Sequence, residues 1–170
     1  MGIDDYCKKL DSHLTGIDNP EKRLEAAAGI LGQAYKVSAD EVAIFVLDDE
    51  KDILHFWWPR KLKTIGFLPL SSIDSLAART VRENKPFVNN RFASVHHASI
   101  FERVRLEPTS AEKPLPIQKI VSVPIPGTDR VRGAIQVSRK GANVDDVNDF
   151  TPRDMTYLVD IASVMSRHLD

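Results

Sequence analysis

Apolar residues at steps of three and four open and close the chain, which is the pattern of amphipathic helices. Asn19 with Pro20 is typical of a second helix start, and Thr151 with Pro152 starts the last helix. The apolar positions are Ile3, Tyr6, Leu10 and Leu14 at one end and Leu158, Met165 and Leu169 at the other. The pattern predicts two N-terminal helices and one C-terminal helix.

The period changes between the terminal helices. A continuous apolar run over 42–47 predicts a central strand, with a return strand over 53–58 and a third strand over 64–70. Two further strands, 117–126 and 131–139, flank the turn residues Gly127, Thr128 and Asp129. These segments predict an antiparallel sheet.

Helical and irregular segments fill the middle of the chain. Ser71 and Asp74 have the spacing of a capping box and predict a helix that stops before Pro86. A short extended pair at 87–88 follows, then a helix over about 95–106 and a proline-rich loop over 107–116. The order predicts an α+β domain, with terminal helices on one sheet face and middle helices on the other.

Composition narrows the function classes. The chain has 170 residues, a formal charge of −1 and a single cysteine, Cys7. A charge near zero gives no general attraction for nucleic acid or anionic lipid, and one thiol excludes an intramolecular disulfide framework. The N-terminus lacks the features of a secretory signal, and no apolar run is long enough to span a membrane. We expect a cytoplasmic protein that binds neither nucleic acid nor membrane.

Four fragments in a fixed order resemble the GAF domain, a small-molecule sensor module related in shape to PAS domains. They are 42–48, 76–90, the strand pair 120–125 with 133–137, and 150–154. The resemblance runs from about Glu21 to Leu169. It implies a single GAF-like domain over 1–170, in which 1–18 form an N-terminal helix and 19–170 form the core.

The resemblance also implies a ligand cavity between the sheet and the middle helices, covered by the loop after the short strand. The candidate ligand-binding residues are His55, Trp57, Asn89, Asn90, Arg91, Phe92, His96, Phe101, Ser122, Ala134 and Gln136. Aromatic walls with a few polar groups are what such pockets use. The alternative interpretation is structural: Asn89 and Asn90 form a turn, while Phe92 and Phe101 fill the core.

No motif for catalysis stands out. Phosphate-binding glycine loops, a zinc-protease motif, a nucleophile elbow and paired buried carboxylates are all missing from the sequence. The free methionine sulfoxide reductases that share the GAF fold need several cysteines, and Cys7 alone cannot supply both the nucleophile and its resolving partner. The sequence therefore predicts a protein that is not an enzyme.

The resulting hypothesis is a regulatory domain that binds an unidentified small molecule and signals through its terminal helices. One alternative is an interaction or dimerisation module without a ligand. Another is a haem or metal sensor that uses His55 and His96, although no metal or cofactor is assigned. The terminal apolar positions, Ile3, Tyr6, Leu10, Leu14, Leu158, Met165 and Leu169, also predict a homodimer built on these helices.

Overall fold

A computed structural model describes residues 2–64, 66–94 and 115–169. The helices are α1 (Ile3–Thr15), α2 (Pro20–Tyr35), α3 (Leu76–Glu83) and α4 (Pro152–Met165). The strands are β1 (Val42–Asp48), β2 (Ile53–Trp58), β3 (Phe67–Pro69), β4 (Phe87–Asn89), β5 (Ile117–Ile125) and β6 (Gly133–Lys140). The predicted helix over 95–106 and most of the predicted loop over 107–116 lie outside the described residues.

The six strands of the described residues form one antiparallel sheet in the order β3-β2-β1-β6-β5-β4. In the central pair, Ile44 lies opposite Ile135 and Val46 opposite Gly133. A Cβ atom at Gly133 would lie only 1.9 Å from the carbonyl oxygen of Phe45, so this close approach requires glycine. The α+β architecture predicted from the sequence is confirmed.

Helices α1, α2 and α4 cover one face of the sheet. Their buried side chains pack against alternate residues of β1, β5 and β6, including Ile44, Val121 and Ile135. Tyr35 on α2 donates a hydrogen bond from its hydroxyl to the carbonyl of Asp154 on α4, at 2.8 Å. The predicted placement of the terminal helices on one face is therefore confirmed.

Helix α3 covers the other face. Ala77, Ala78 and Val81 pack there against Phe45 and Phe56, whose ring centroids are 4.5 Å apart. The sheet therefore separates two apolar cores, and the larger one belongs to the terminal helices.

The predicted helix starts are confirmed at two places and wrong at a third. Asn19 accepts a hydrogen bond from the backbone of Lys22, and Thr151 forms a reciprocal capping box with Asp154. The predicted box at 71 and 74 does not open α3. Ser75 is the N-cap instead, because its buried hydroxyl accepts from the backbone of Ala78 at 3.1 Å.

The apolar positions predicted to form a dimer interface are largely used within the chain. Leu14 and Leu158 are fully buried, and Leu10, Met165 and Leu169 are at most 4% exposed, all in the core of the terminal-helix face. Ile3 and Tyr6 are partly buried. The assignment of the five buried residues to a subunit contact is therefore wrong, because this surface is already covered by the helices and the sheet of the same chain.

Candidate functional site

A cavity of about 840 Å³ opens at the end of the sheet where β5 begins and β6 ends. Three segments form its walls: the exit of β4, the start of β5, and the loop between β6 and α4. The lining residues are Asn90, Arg91, Ala93, Ser94, Gln118, Lys119, Ala142, Asn143, Val144, Asp145 and Asp149. We call this space the sheet-end cavity.

The wall after β4 is held by two asparagines with different roles. The side chain of Asn89 accepts a hydrogen bond from the backbone of Arg91 at 2.8 Å, which turns the chain as it leaves the strand. The Asn90 amide bonds both backbone groups of Phe150, accepting from the N–H at 2.8 Å and donating to the carbonyl at 2.9 Å. Asn90 therefore ties this wall to the start of α4, and the structural interpretation of both residues is supported.

The wall from β5 carries two buried polar side chains. Gln118 is 6% exposed and donates from Nε2 to the carbonyl of Gly141 at 2.9 Å. Lys119 is 5% exposed, and its ammonium forms an ion pair with the carboxylate of Asp149, which is itself largely solvent-accessible. Two such groups side by side at the start of a strand are unusual, since long polar side chains are rarely buried in full.

Charges of both signs surround the cavity. Arg91 is exposed at the rim, while Lys119 lies inside. The acids are Asp145 and Asp149, both exposed on the loop before α4. The lining thus offers two cations and two carboxylates, an arrangement suited to a polar ligand of low net charge.

Three predicted site residues lie elsewhere, beneath α3. Ser122, Ala134 and Gln136 are buried on the α3 side of the sheet, where the helix packs directly against the strands. The Ser122 hydroxyl lies 2.7 Å from that of Thr80, and Gln136 donates to Ser122 at 3.2 Å. These three residues therefore lie outside the lining of the sheet-end cavity, and their assignment to a ligand site stays a prediction. Phe92 is likewise a buried core residue, as the structural interpretation held.

His55 and Trp57 are also misplaced by the sequence prediction. In β2 the alternate residues Leu54 and Phe56 face α3, so His55 and Trp57 point to the opposite face, and Trp57 packs against the terminal-helix core. Because side chains alternate between the two faces along a strand, His55 and Trp57 lie on the face opposite the predicted cavity. His96 and Phe101 lie outside the described residues. Within the residues described, no group of three His, Cys, Asp or Glu side chains is placed to hold a metal ion.

The sequence prediction missed Gln118, Lys119 and the loop over 142–149. A signal for the first two was present, because Gln118 and Lys119 are adjacent polar residues in a strand that is mostly apolar. The contribution of the loop depends on how the chain returns from β6 to α4, which has no local pattern in the sequence.

The fold is that of a GAF domain. No family model matches the chain, and no curated protein matches it. The GAF domain of an Acinetobacter phosphoenolpyruvate-protein phosphotransferase superposes with a TM-score of 0.73 at 15% identity, covering 99% of this chain and 94% of that structure. The corresponding domain from Coxiella burnetii gives a TM-score of 0.73 at 12% identity, covering 98% and 92%.

Enzymes share this fold as well. Free methionine-R-sulfoxide reductase from Neisseria meningitidis, solved in complex with its substrate, has a TM-score of 0.68 at 14% identity, covering 96% of this chain and 85% of that one. The prediction that the chain is not an enzyme is therefore corrected, because the same architecture supports catalysis in these neighbours. Cys7, the single thiol, lies half-buried on α1, where burial and the nearby carboxylates of Asp160 and Asp4 raise its pKa.

None of the helices in the described ranges combines the length and apolar character needed to cross a bilayer.

Proposed function

We propose that this chain is a sensory domain that binds a small polar molecule in the sheet-end cavity and passes its occupancy to helix α4. The carrying observation is that two buried polar side chains, Gln118 and Lys119, open onto a cavity of ligand-binding size. The GAF fold supports the proposal, since regulatory domains adopt it.

The route to α4 is short. Asp149 lines the cavity, the adjacent Phe150 is bonded at both backbone groups by Asn90, and Thr151 is the N-cap of α4. The Phe150 ring packs edge-on against Tyr35 of α2, with centroids 6.3 Å apart. A ligand that favours one arrangement of the cavity walls would shift the packing of α2 and α4 by population shift.

Thermal-shift measurements of the purified chain against a metabolite panel test this proposal. We expect at least one small polar compound to raise the melting temperature, and Arg91→Ala to weaken that effect. Arg130→Ala is the matched control, because Arg130 is an exposed arginine paired with Asp49 and Asp52 at the other end of the sheet. No shift with any compound would overturn the proposal and favour an interaction module without a ligand.

A second measurement on the compounds that bind separates binding from turnover. Each compound that binds is incubated with the protein and recovered, and its mass is compared with that of the starting material. Recovery of the unchanged compound supports a sensor. A converted product would show that the chain, like its reductase neighbours, is an enzyme, and would contradict a purely sensory role.

A further inference from the structure

The side chain of Lys119 has more hydrogen-bond donors than the described residues satisfy. An ammonium carries three N–H groups, and within the described part of the chain the Asp149 carboxylate is the acceptor it reaches. The Lys119 side chain is only 7% exposed and lies on the wall of the sheet-end cavity, so an acceptor for the remaining N–H groups would come from that cavity. Buried donors without partners are costly, which favours an acceptor entering from the cavity.

In the neighbouring Gln118 it is an acceptor, not a donor, that lacks a partner among the described residues. Its Nε2 is bonded to the Gly141 carbonyl, while its Oε1 has no donor among the described residues. A residue 6% exposed with a free amide oxygen on a cavity wall favours a ligand that carries N–H groups. One wall of the cavity therefore requires both an acceptor and a donor from its occupant.

We propose that the ligand of the sheet-end cavity is a free amino acid in its zwitterionic form. Its carboxylate would accept hydrogen bonds from the open N–H groups of Lys119 and from Arg91 at the rim. Its ammonium would donate to Gln118 Oε1 and to the Asp145 carboxylate. This inference rests on the proposed function and names the ligand class for the same site.

The charge balance supports a zwitterion over a simple ion. An anion without an amine would satisfy Lys119 but leave Gln118 Oε1 without a donor, and it would also approach Asp149. A cation without a carboxylate would leave the Lys119 donors open. A zwitterion adds no net charge to a lining that already balances Arg91 and Lys119 against Asp145 and Asp149.

The experiment measures affinities by calorimetry for the twenty common amino acids, each compared with its carboxamide and its N-acetyl derivative. We expect one or a few amino acids to bind and both derivatives to bind more weakly, since each derivative removes one of the two charges. N-acetyl derivatives also mimic a peptide C-terminus, so equal binding of those derivatives would indicate a peptide ligand and overturn the inference.

Two substitutions test which protein side chain contacts the carboxylate of the amino acid and which contacts its ammonium. Lys119→Met should weaken amino-acid binding by about thirtyfold or more, the range for truncating a buried charged partner, and should abolish discrimination against the carboxamide. Gln118→Leu should weaken binding while keeping that discrimination. Arg130→Ala should change neither. A merely structural role for Lys119 would weaken both ligands equally and leave their ratio unchanged, which would overturn the assignment.

The failure of this inference is distinguishable from failure of the proposed function. If nothing in the wider metabolite panel binds, the proposed function fails. If another class of compound binds in the cavity while no amino acid does, the sensory proposal stands and the zwitterion assignment is wrong.

Discussion

Three buried polar side chains, Thr80, Ser122 and Gln136, form a chain of hydrogen bonds between α3 and the sheet. Thr80 donates its hydroxyl proton to the Leu76 carbonyl at 2.7 Å, so Ser122 must donate to Thr80. Gln136 then donates to Ser122, completing a directed chain between α3 and the sheet. Because these bonds run without interruption from β6 through β5 to the helix, the network stabilises the contact of α3 with the two strands.

Ser122→Ala is expected to lower the free energy of unfolding by about 1–3 kcal/mol, because it leaves Gln136 Nε2 buried without an acceptor. Urea denaturation measures the change. The double variant Ser122→Ala with Gln136→Met should regain part of the loss, since the orphaned donor is removed with its partner. The exposed Ser163→Ala is the control and should stay within about 0.5 kcal/mol of the parent. Equal losses in the single and double variants would contradict this account.

At the scale of helices and strands, the sequence signals that were read correctly are local ones. Asn19 with Pro20 and Thr151 with Asp154 cap their helices because the capping groups lie within three residues of their partners. The same spacing at Ser71 and Asp74 predicted a helix start that is wrong, because α3 begins only after its N-cap Ser75. A capping pattern therefore predicts a helix more securely than its first residue.

The site was harder to predict than the fold. Asn90 and Arg91 were predicted to line a cavity between the sheet and the middle helices, and in the structure they line the sheet-end cavity, just after the short strand β4. Lys119 was missed because its ion-pair partner, Asp149, lies thirty residues later in the chain. The strand pattern assigns Ser122 and Gln136 to one face of the sheet but does not show that α3 packs against them there.

Asn90 joins two elements, β4 and α4, through both backbone groups of Phe150. Asn90→Ala removes two hydrogen bonds and should cost about 1–3 kcal/mol of stability. Hydrogen exchange should rise at the start of α4 more than in α3. Asn148→Ala removes an exposed asparagine side chain on the loop before α4; it is the control and should leave the exchange pattern unchanged. A uniform rise through the whole chain would argue against a local link.

Helix α1 is attached to the C-terminal end of the chain through Asp11. Its carboxylate lies 2.7 Å from His168 Nε2 and 3.2 Å from Arg167, and these contacts lower the pKa of Asp11, the hydrogen bond with His168 contributing most. A carboxyl with a lowered pKa stabilises the folded state above its ordinary value of 3.8 and loses that contribution as the pH falls through the folded pKa.

Asp11→Asn should therefore reduce stability at neutral pH and flatten its decline in acid below the ordinary carboxyl pKa. Chemical denaturation at a series of pH values measures this, with the exposed Asp18→Asn as control. Parallel acid profiles for the parent and Asp11→Asn would show that the pairing does not contribute to stability.

At the scale of the whole molecule, the sheet divides the protein into two layers. The described residues of the α3 layer form the smaller apolar core, whereas the sheet-end cavity borders the start of α4, which belongs to the terminal-helix layer. The GAF domain of a phosphotransferase and a free methionine-R-sulfoxide reductase share this architecture, so the fold alone does not decide between binding and catalysis. That decision rests on the side chains of the cavity.

The terminal-helix layer also bears on assembly. Leu14 is fully buried by its own chain, so Leu14→Ala should lower the free energy of unfolding by about 2–5 kcal/mol. Because the loss arises within one chain, it should be the same at micromolar and at hundredfold higher protein concentration. Val159→Ala, at a position 39% exposed on α4, is the control and should have a small effect. A destabilisation by Leu14→Ala that shrinks as protein concentration rises would instead place Leu14 in a subunit contact, and the predicted dimer through these helices would then replace the single-chain packing.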